Sequence, residues 1–245
     1  MKISRYRRDG AYSYTLGATL TFELLKMRPE LVRRVFFSPD CEQSESIRAI
    51  AQRCGELGIA PEVSAKPFNV LSPKGNCYVI AEFEKFGSRL QPGSHIVLVQ
   101  PSDAGNIGTI LRTAAGFGYR DIGIVRPAVD VFDPKAVRAS MGALFHHRVE
   151  YFDDIDQYLA RFGENERFAF MLTGSILLQD VQVPEKPHTL LFGNEATGLP
   201  DVYARLCTAV RIPHSDAIDS LNLPIAAGIG MYTFVNSAEF TASFD

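Results

Sequence analysis

Cysteine is sparse in this chain. Its four cysteines, Cys41, Cys54, Cys77 and Cys207, stand far apart and form no C-x-x-C pair. That spacing argues against a zinc knuckle and against a disulfide framework, so the thiols read as inert. Long apolar runs are missing too. The longest nearly uncharged one, Leu223 to Val235, falls short of the ~18 to 20 residues a bilayer-crossing helix needs, and it reads as a buried helix. No apolar segment follows Lys2, Arg5, Arg7 and Arg8, so no secretory signal is expected and the expected location is the cytoplasm. No strand is followed by G-x-G-x-x-G, which removes the dinucleotide fingerprint. Gly193 and Gly198 have the spacing of a phosphate-binding loop, but Leu199-Pro200 stand where Lys-Ser/Thr is required, which excludes a nucleoside triphosphatase. His146, His147 and His214 lack H-E-x-x-H or other metal spacing, so no metal is expected.

What is present is a 245-residue chain, 46% hydrophobic and 22% charged, with net charge -3. These values belong to a soluble globular protein with room for one large domain or two modest ones. Charge is uneven along it: the first 34 residues hold eight Lys/Arg against three Asp/Glu. Screening limits the reach of distant carboxylates to ~8 to 10 Å, so such a segment is able to track phosphates, although a solvated helix face explains it equally well. Up to about residue 86, helical stretches (Thr15 to Met27, Ser44 to Leu57) alternate with β-like runs (Val35 to Ser38, Tyr78 to Phe83). The Gly/Pro/Ser-rich stretch Gly87 to Ser94 then marks a boundary, giving domains at 1–90 and 95–245. Beyond it, strand-like runs at His95 to Gln100, Ile122 to Val125, Phe168 to Leu172, Thr189 to Phe192 and Ala209 to Ile212 alternate with helical patterns, as a parallel sheet with crossovers requires.

Three segments carry candidate chemistry. Ser102 to Phe117 directly follows a strand, and its buried stripe Ile107, Ile110, Leu111 and Ala114 leaves Gly108, Thr109, Arg112 and Gly116 on another face. Glycines four residues to either side of Arg112 suggest a close approach to the backbone there, the plainer reading being helix packing with Arg112 in a salt bridge. Thr189 to Pro200 is a strand entering a glycine-bracketed loop with Asn194 and Glu195. Arg211 to Met231 is a loop entering a helix rich in small residues, with Ser220 or Asn222 as N-cap and Pro224 in the first turn.

In order and spacing these segments resemble the three motifs of the SpoU-type (TrmH-like) RNA 2'-O-ribose methyltransferases of the SPOUT superfamily, over roughly residues 95 to 240. Asn106, Gly108 and Arg112 match the first motif, Gly193, Asn194, Glu195, Gly198 and Leu199 the second, and Ser220-Leu221-Asn222 the third. Arg138 to Ala143 is similar to an element between motifs, while Asp216 and Pro224 depart from the usual third motif. The resemblance implies an α/β protein whose C-terminal parallel-sheet domain ends in a deep trefoil knot. It implies S-adenosylmethionine bound there by Thr173, Gly193, Asn194, Ile212 and Leu221, and a homodimer with active sites near the subunit interface. It also implies that residues 1–90 form a small α/β RNA-binding domain similar to kink-turn-binding ribosomal proteins, a role that its basic start, Arg5, Arg7 and Arg8, would suit.

The expected activity is 2'-O-methylation of a ribose in structured RNA, ribosomal ahead of transfer RNA. The alternative is a catalytically silent RNA-binding or ribosome-associated protein that keeps the fold. The chemistry needs a ribose hydroxyl aligned with an electrophilic methyl and no metal. Arg112 is expected to orient that hydroxyl or its phosphate and to stabilise the alkoxide, since a guanidinium is a poor proton acceptor. Asn106 and Asn222 would hold the ribose or Arg112, Glu195 would fix the arrangement, and Ser220 would position substrate or backbone.

Overall fold

The computed structural model describes residues 3–42, 44–72 and 77–235. They fall into two compact units. The first comprises residues up to Phe86 together with Asp130–His146; the second comprises Gly87–Val129 and the chain from His147 onward.

In the first unit, β1 (Tyr12–Leu16), α1 (Ala18–Met27), β2 (Val32–Phe37), α2 (Glu45–Glu56), β3 (Glu62–Val63), α3 (Lys66–Leu71) and β4 (Val79–Glu84) follow one another. The strands form a mixed sheet in the order β1-β4-β2-β3. Tyr12-Ser-Tyr-Thr-Leu16 is strand where sequence periodicity extends a helix back to Thr15. Aromatic and β-branched side chains favour the strand, and Gly17, at φ 124, turns the chain before the helix.

The second unit is built from β5 (His95–Val99), α4 (Ala104–Gly116) and β6 (Asp121–Val125). The chain then leaves it for α5 (Pro134–Ala139), and returns with β7 (Arg148–Phe152), α6 (Ile155–Phe162), β8 (Glu166–Phe170), β9 (Ile176–Leu177), β10 (His188–Phe192), α7 (Tyr203–Leu206), β11 (Thr208–Arg211) and α8 (Leu223–Val235). Seven strands pair in parallel in the order β7-β6-β5-β10-β8-β11-β9. β5, β6 and β10 are buried along their whole length, which is why they read as continuous apolar runs rather than alternating ones.

Residues 130–146 differ from the sequence expectation, which runs a single C-terminal domain from residue 95. They side with the first unit because their contacts lie there. The Ser13 hydroxyl donates to the Phe132 carbonyl, the Phe132 ring meets Phe83 and Phe86, and the Phe145 ring meets Phe83 edge-on at 5.2 Å. Lys85 and Asp130 pair at 2.8 Å, and His146 meets Glu23 at 2.9 Å.

α8 also departs from expectation. It is helical over the residues of the apolar run, but Ile225 (55% exposed), Ile229 (37%) and Tyr232 (57%) face outward. Its other side packs on α4 and β10, and a Cβ at Gly230 would sit 2.6 Å from the Phe170 ring of β8 and 3.2 Å from the Phe192 ring of β10, so any larger residue would have to displace those stacked rings. Among the described residues no helix is long and apolar enough to cross a membrane.

Two histidines are buried at the amino ends of the central strands. His95 Nε2 lies 2.8 Å from the Gln91 carbonyl, which only accepts, so this nitrogen carries the proton and Nδ1 accepts from the Tyr158 hydroxyl at 2.8 Å. Tyr158 in turn accepts from Thr189 at 2.7 Å, and Thr189 accepts from Asn165 at 3.1 Å. His188 contacts Tyr119 at 2.7 Å and Ser94 at 3.3 Å. Burial pushes the pKa of both imidazoles down, that of His188 to about 4. A folded pKa below the unfolded value of ~6.5 means that the unfolded chain binds the extra proton, so stability falls as pH drops from ~6.5 towards 4. His188 alone accounts for a loss of about 2 kcal/mol by pH 5. Urea midpoints measured at neutral pH and at pH 5 will show this decline, and it will be smaller in His188→Gln.

Candidate active site

The carboxyl ends of β8, β10 and β11 open into a cavity of about 340 Å³. Open α/β sheets bind ligands at this edge, and the volume lies at the lower end of the range for small-molecule sites. Thr173 follows β8, Gly193, Asn194 and Glu195 follow β10, and Ile212 follows β11; Ser220 and Leu221 precede α8, and all seven line the cavity. Most of the remaining wall is apolar, including Leu172, Leu199 and Leu223. Asp201 and His214 also line it, and the sequence reading assigned neither of them a role; His214 Nδ1 donates to the Ile212 carbonyl at 3.0 Å.

The loop after β10 is shaped by its own backbone. Asn194 and Gly198 exchange backbone hydrogen bonds at 3.2 and 2.9 Å, and Asn194 Oδ1 accepts from Ala196 and Thr197 N–H. Gly198 has φ 68, and a Cβ at Gly193 would lie 2.2 Å from the Gly198 carbonyl carbon, so a side chain at 193 cannot be accommodated without opening the loop.

Glu195 joins this loop to the one after β5. Its carboxylate accepts from Ser102 N–H at 3.0 Å, the Ser102 hydroxyl at 2.8 Å, Asp103 N–H at 3.1 Å and the Asn106 amide at 3.1 Å. Asp103 caps α4 by accepting from Asn106 N–H at 2.9 Å. A carboxylate at this position also meets the positive end of the helix dipole. Burial by itself would raise the Glu195 pKa, but the hydrogen bonds from Asn106 and Ser102 outweigh it and hold the value below the usual carboxylate range. Beside this grip, the Asn194 amide donates to the carbonyl of Gln100 at 2.8 Å, and Gln100 takes the left-handed φ of 53.

The structure thus brings Asn106 and Glu195 together, with Asn106 holding Glu195 rather than Arg112. Arg112 does not line the cavity. It is exposed on α4, and the salt bridge considered from sequence is not formed among the described residues, where Arg112 makes no hydrogen bond or ion pair. Gly108 is buried on α4, whereas nothing lies within 4 Å of a Cβ at Gly116, so the close approach anticipated around Arg112 is not made at Gly116 among the described residues. Ser220 and Asn222 are exposed; the Asn222 carbonyl accepts from Ile225 and Ala226 N–H at the start of α8, and Pro224 falls in that first turn. Asp216 is exposed in the preceding loop. Arg5, Arg7 and Arg8 are exposed in the first unit, Arg7 pairing with Asp9 at 2.9 Å. The backbone donors of Ser102 and Asp103 were missed, although an Asp three residues before Asn at a helix start is a capping signal.

Removing the Glu195 carboxylate in Glu195→Ala leaves those donors without their acceptor and should lower stability by about 2 kcal/mol, read as a fall in the urea midpoint, with Glu195→Gln intermediate. Because its folded pKa is depressed, the contribution of Glu195 is present above ~4.3 and is lost as pH falls through the folded value, a window more acidic than that of the histidines. Gly193→Ala should abolish ligand binding in the cavity, checked by calorimetry on folded protein.

Residues 93–232 match the SpoU rRNA Methylase family. An uncharacterised tRNA/rRNA methyltransferase of Synechocystis sp. is 30% identical, over 76% of this chain and 69% of that protein. A 23S rRNA uridine 2'-O-methyltransferase of Streptomyces viridochromogenes is 33% identical, over 57% of this chain and 51% of that protein. The crystal structure of an AdoMet-bound rRNA methyltransferase from Sinorhizobium meliloti superposes with a TM-score of 0.77 at 28% identity, covering 91% of this chain and 87% of that one. The match to the family spans more than half of the chain and contains every residue lining the cavity: the chain belongs to the SpoU rRNA Methylase family.

Proposed function

We propose that this protein is an RNA 2'-O-ribose methyltransferase that uses S-adenosylmethionine and acts on structured RNA in the cytoplasm, ribosomal RNA ahead of transfer RNA. One observation carries the reading: the cavity and the Glu195 grip share the loop after β10, so a small cofactor and the first motif's helix are held by neighbouring residues.

The cavity fits the cofactor in chemistry as well as size. Its apolar wall suits an adenine ring and a methionine chain, while the backbone around Gly193, Ile212 and Leu221 offers the few polar groups such a ligand needs, with Thr173 and Asn194 at the rim. When bound, S-adenosylmethionine supplies a sulfonium methyl that is already electrophilic. The residues of this chain then have to deliver and hold a ribose hydroxyl. Arg112 orients it or its flanking phosphate and stabilises the developing alkoxide, a task suited to a guanidinium that has no hydrogen bond or ion pair among the described residues. Glu195 and Asn106 keep α4, and with it Arg112, in place. Ser220 and Asn222, exposed beside the cavity, contact the ribose or the neighbouring strand.

The same reading includes a trefoil knot formed by the final segment. The insertion of β10 between β5 and β8, with β11 beyond β8, supports such a threaded path. It also includes a homodimer. α4 and α8 lie side by side, Phe117 meeting Tyr232 with centroids 6.2 Å apart; Ile225, Ile229 and Tyr232 are exposed on α8 and Arg112 is exposed on α4. Pairing two α8 faces would bury the apolar stripe, and the packing of α4 on α8 would carry the helix that bears Arg112 to the subunit interface. The first unit, with Arg5, Arg7 and Arg8 exposed, binds RNA.

Mass mapping of 2'-O-methylated nucleotides in total RNA from cells with and without the gene tests the activity: one ribose should lose its methyl group in the deletion, and an unchanged map would refute the reading. Arg112→Ala should lower methyl transfer by about 10²-fold while calorimetry shows S-adenosylmethionine affinity retained. Ile229→Asp should convert a dimer into a monomer by light scattering and lose activity with it.

A further inference from the structure

In the first unit the turn that carries Arg7 and Arg8 is anchored from within by Lys85. Lys85, just after β4, directs its ammonium to the Asp130 carboxylate at 2.8 Å, the Arg8 carbonyl at 2.9 Å, and the Arg7 carbonyl and Tyr6 hydroxyl at 3.3 Å. The Tyr6 hydroxyl donates to Asp130 at 2.6 Å, and the ammonium lies 4.6 Å from the Tyr6 ring centroid. The Lys85 and Asp130 side chains are only 13% and 15% exposed, so the ammonium is spent on fixing backbone and its charge is neutralised in place. What it fixes is the turn closed by Gly10 N–H on the Arg7 carbonyl at 3.0 Å, while Lys85 N–H holds the carbonyl of Ala11 at 2.8 Å.

The next residue is Tyr12, and the guanidinium of Arg33, on β2, stacks 4.8 Å from its ring centroid. Arg33 and Arg5 are exposed and make no hydrogen bond or ion pair among the described residues. A guanidinium backed by an aromatic ring is a flat cationic platform, able to stack on an unpaired base and to meet a phosphate from its edge.

We propose that the Arg7–Gly10 turn and the Tyr12–Arg33 stack form one binding surface for a single-stranded stretch of RNA, with Lys85 as its positioning residue. The choice of RNA as the polyanion rests on the methyltransferase reading. The choice of a single strand rests on the platform, because bases in an A-form duplex are stacked on each other and present no face to a side chain. Glu84 faces Tyr12 across the β1–β4 pair and is exposed, a carboxylate that opposes the phosphates.

The test uses the full-length protein and a labelled oligouridylate about 20 nucleotides long, with an RNA duplex of the same length as comparison, followed by anisotropy between about 50 and 200 mM salt. Arg33→Ala should weaken oligouridylate binding about tenfold and flatten the plot of log affinity against log salt by about 0.7. Tyr12→Leu should weaken it about tenfold with the slope unchanged, because stacking releases no counterion. Lys85→Met should flatten the slope although its own charge is already neutralised, and Glu84→Gln should tighten binding. Thermal midpoint and S-adenosylmethionine affinity should stay at wild-type values in Arg33→Ala and Tyr12→Leu. Unchanged affinity in both variants would overturn the proposal, as would equal binding of the duplex. The two readings fail separately: wild-type protein that transfers no methyl group yet shows Arg33-dependent oligouridylate binding defeats the methyltransferase, whereas transfer with an unchanged KM for RNA in Arg33→Ala defeats this surface alone.

Discussion

The site depends on where one carboxylate sits. Glu195 accepts four hydrogen bonds from the segment Ser102 to Asn106, and two of its donors are backbone N–H groups at the start of α4. Helix N-termini leave such groups without intrahelical partners, so an anion there satisfies donors that would otherwise need water. Because Glu195 follows β10 directly and α4 follows β5, the contact sets the direction of α4 relative to the cavity. The Asn194 amide on the Gln100 carbonyl adds a second tie between the same two strand ends. Two ties resist rotation as well as separation, and that rigidity is what a transfer reaction needs, since a small misalignment of the reacting atoms costs rate steeply.

The two ends of the central strands are built differently. At the carboxyl end the polar groups are half-exposed and gather around a cavity. At the amino end His95, Tyr158, Thr189 and Asn165 form a hydrogen-bonded chain with a defined proton order. An added proton on His95 Nδ1 would force the Tyr158 and Thr189 hydroxyls to reverse and would place a charge in a buried site, which burial disfavours. One end of the sheet is therefore specified for structure, leaving the other free for ligand.

A chain of net charge -3 is an unpromising RNA ligand on average, yet both units expose arginines, among them Arg5, Arg7, Arg8 and Arg33 in the first and Arg112 in the second. Local fields decide phosphate contacts because salt screens the rest. Within the first unit the buried pair Lys85–Asp130 contributes little net charge; its effect is to hold a cationic turn in a fixed shape, which lowers the ordering cost of binding.

Much of this was legible in the sequence. Continuous apolar runs marked β5, β6 and β10, because parallel strands covered on both faces need no polar alternation. The motif residues after β10 and before α8 were named from their order alone, and glycine at 193 signalled a backbone constraint that the Gly198 contact explains. Tertiary structure decided the rest. Only folding showed that Asn106 serves Glu195 instead of Arg112, that Arg112 has no partner among the described residues, and that residues 130–146 belong with β1 and β4. The outward stripe of α8 was hidden for the same reason. A uniformly apolar helix has no periodicity to tell its packed side from its open one, so which side is covered depends on α4 and β10, residues distant in the chain. Sequence determines which groups are able to meet; long-range packing determines which of them do.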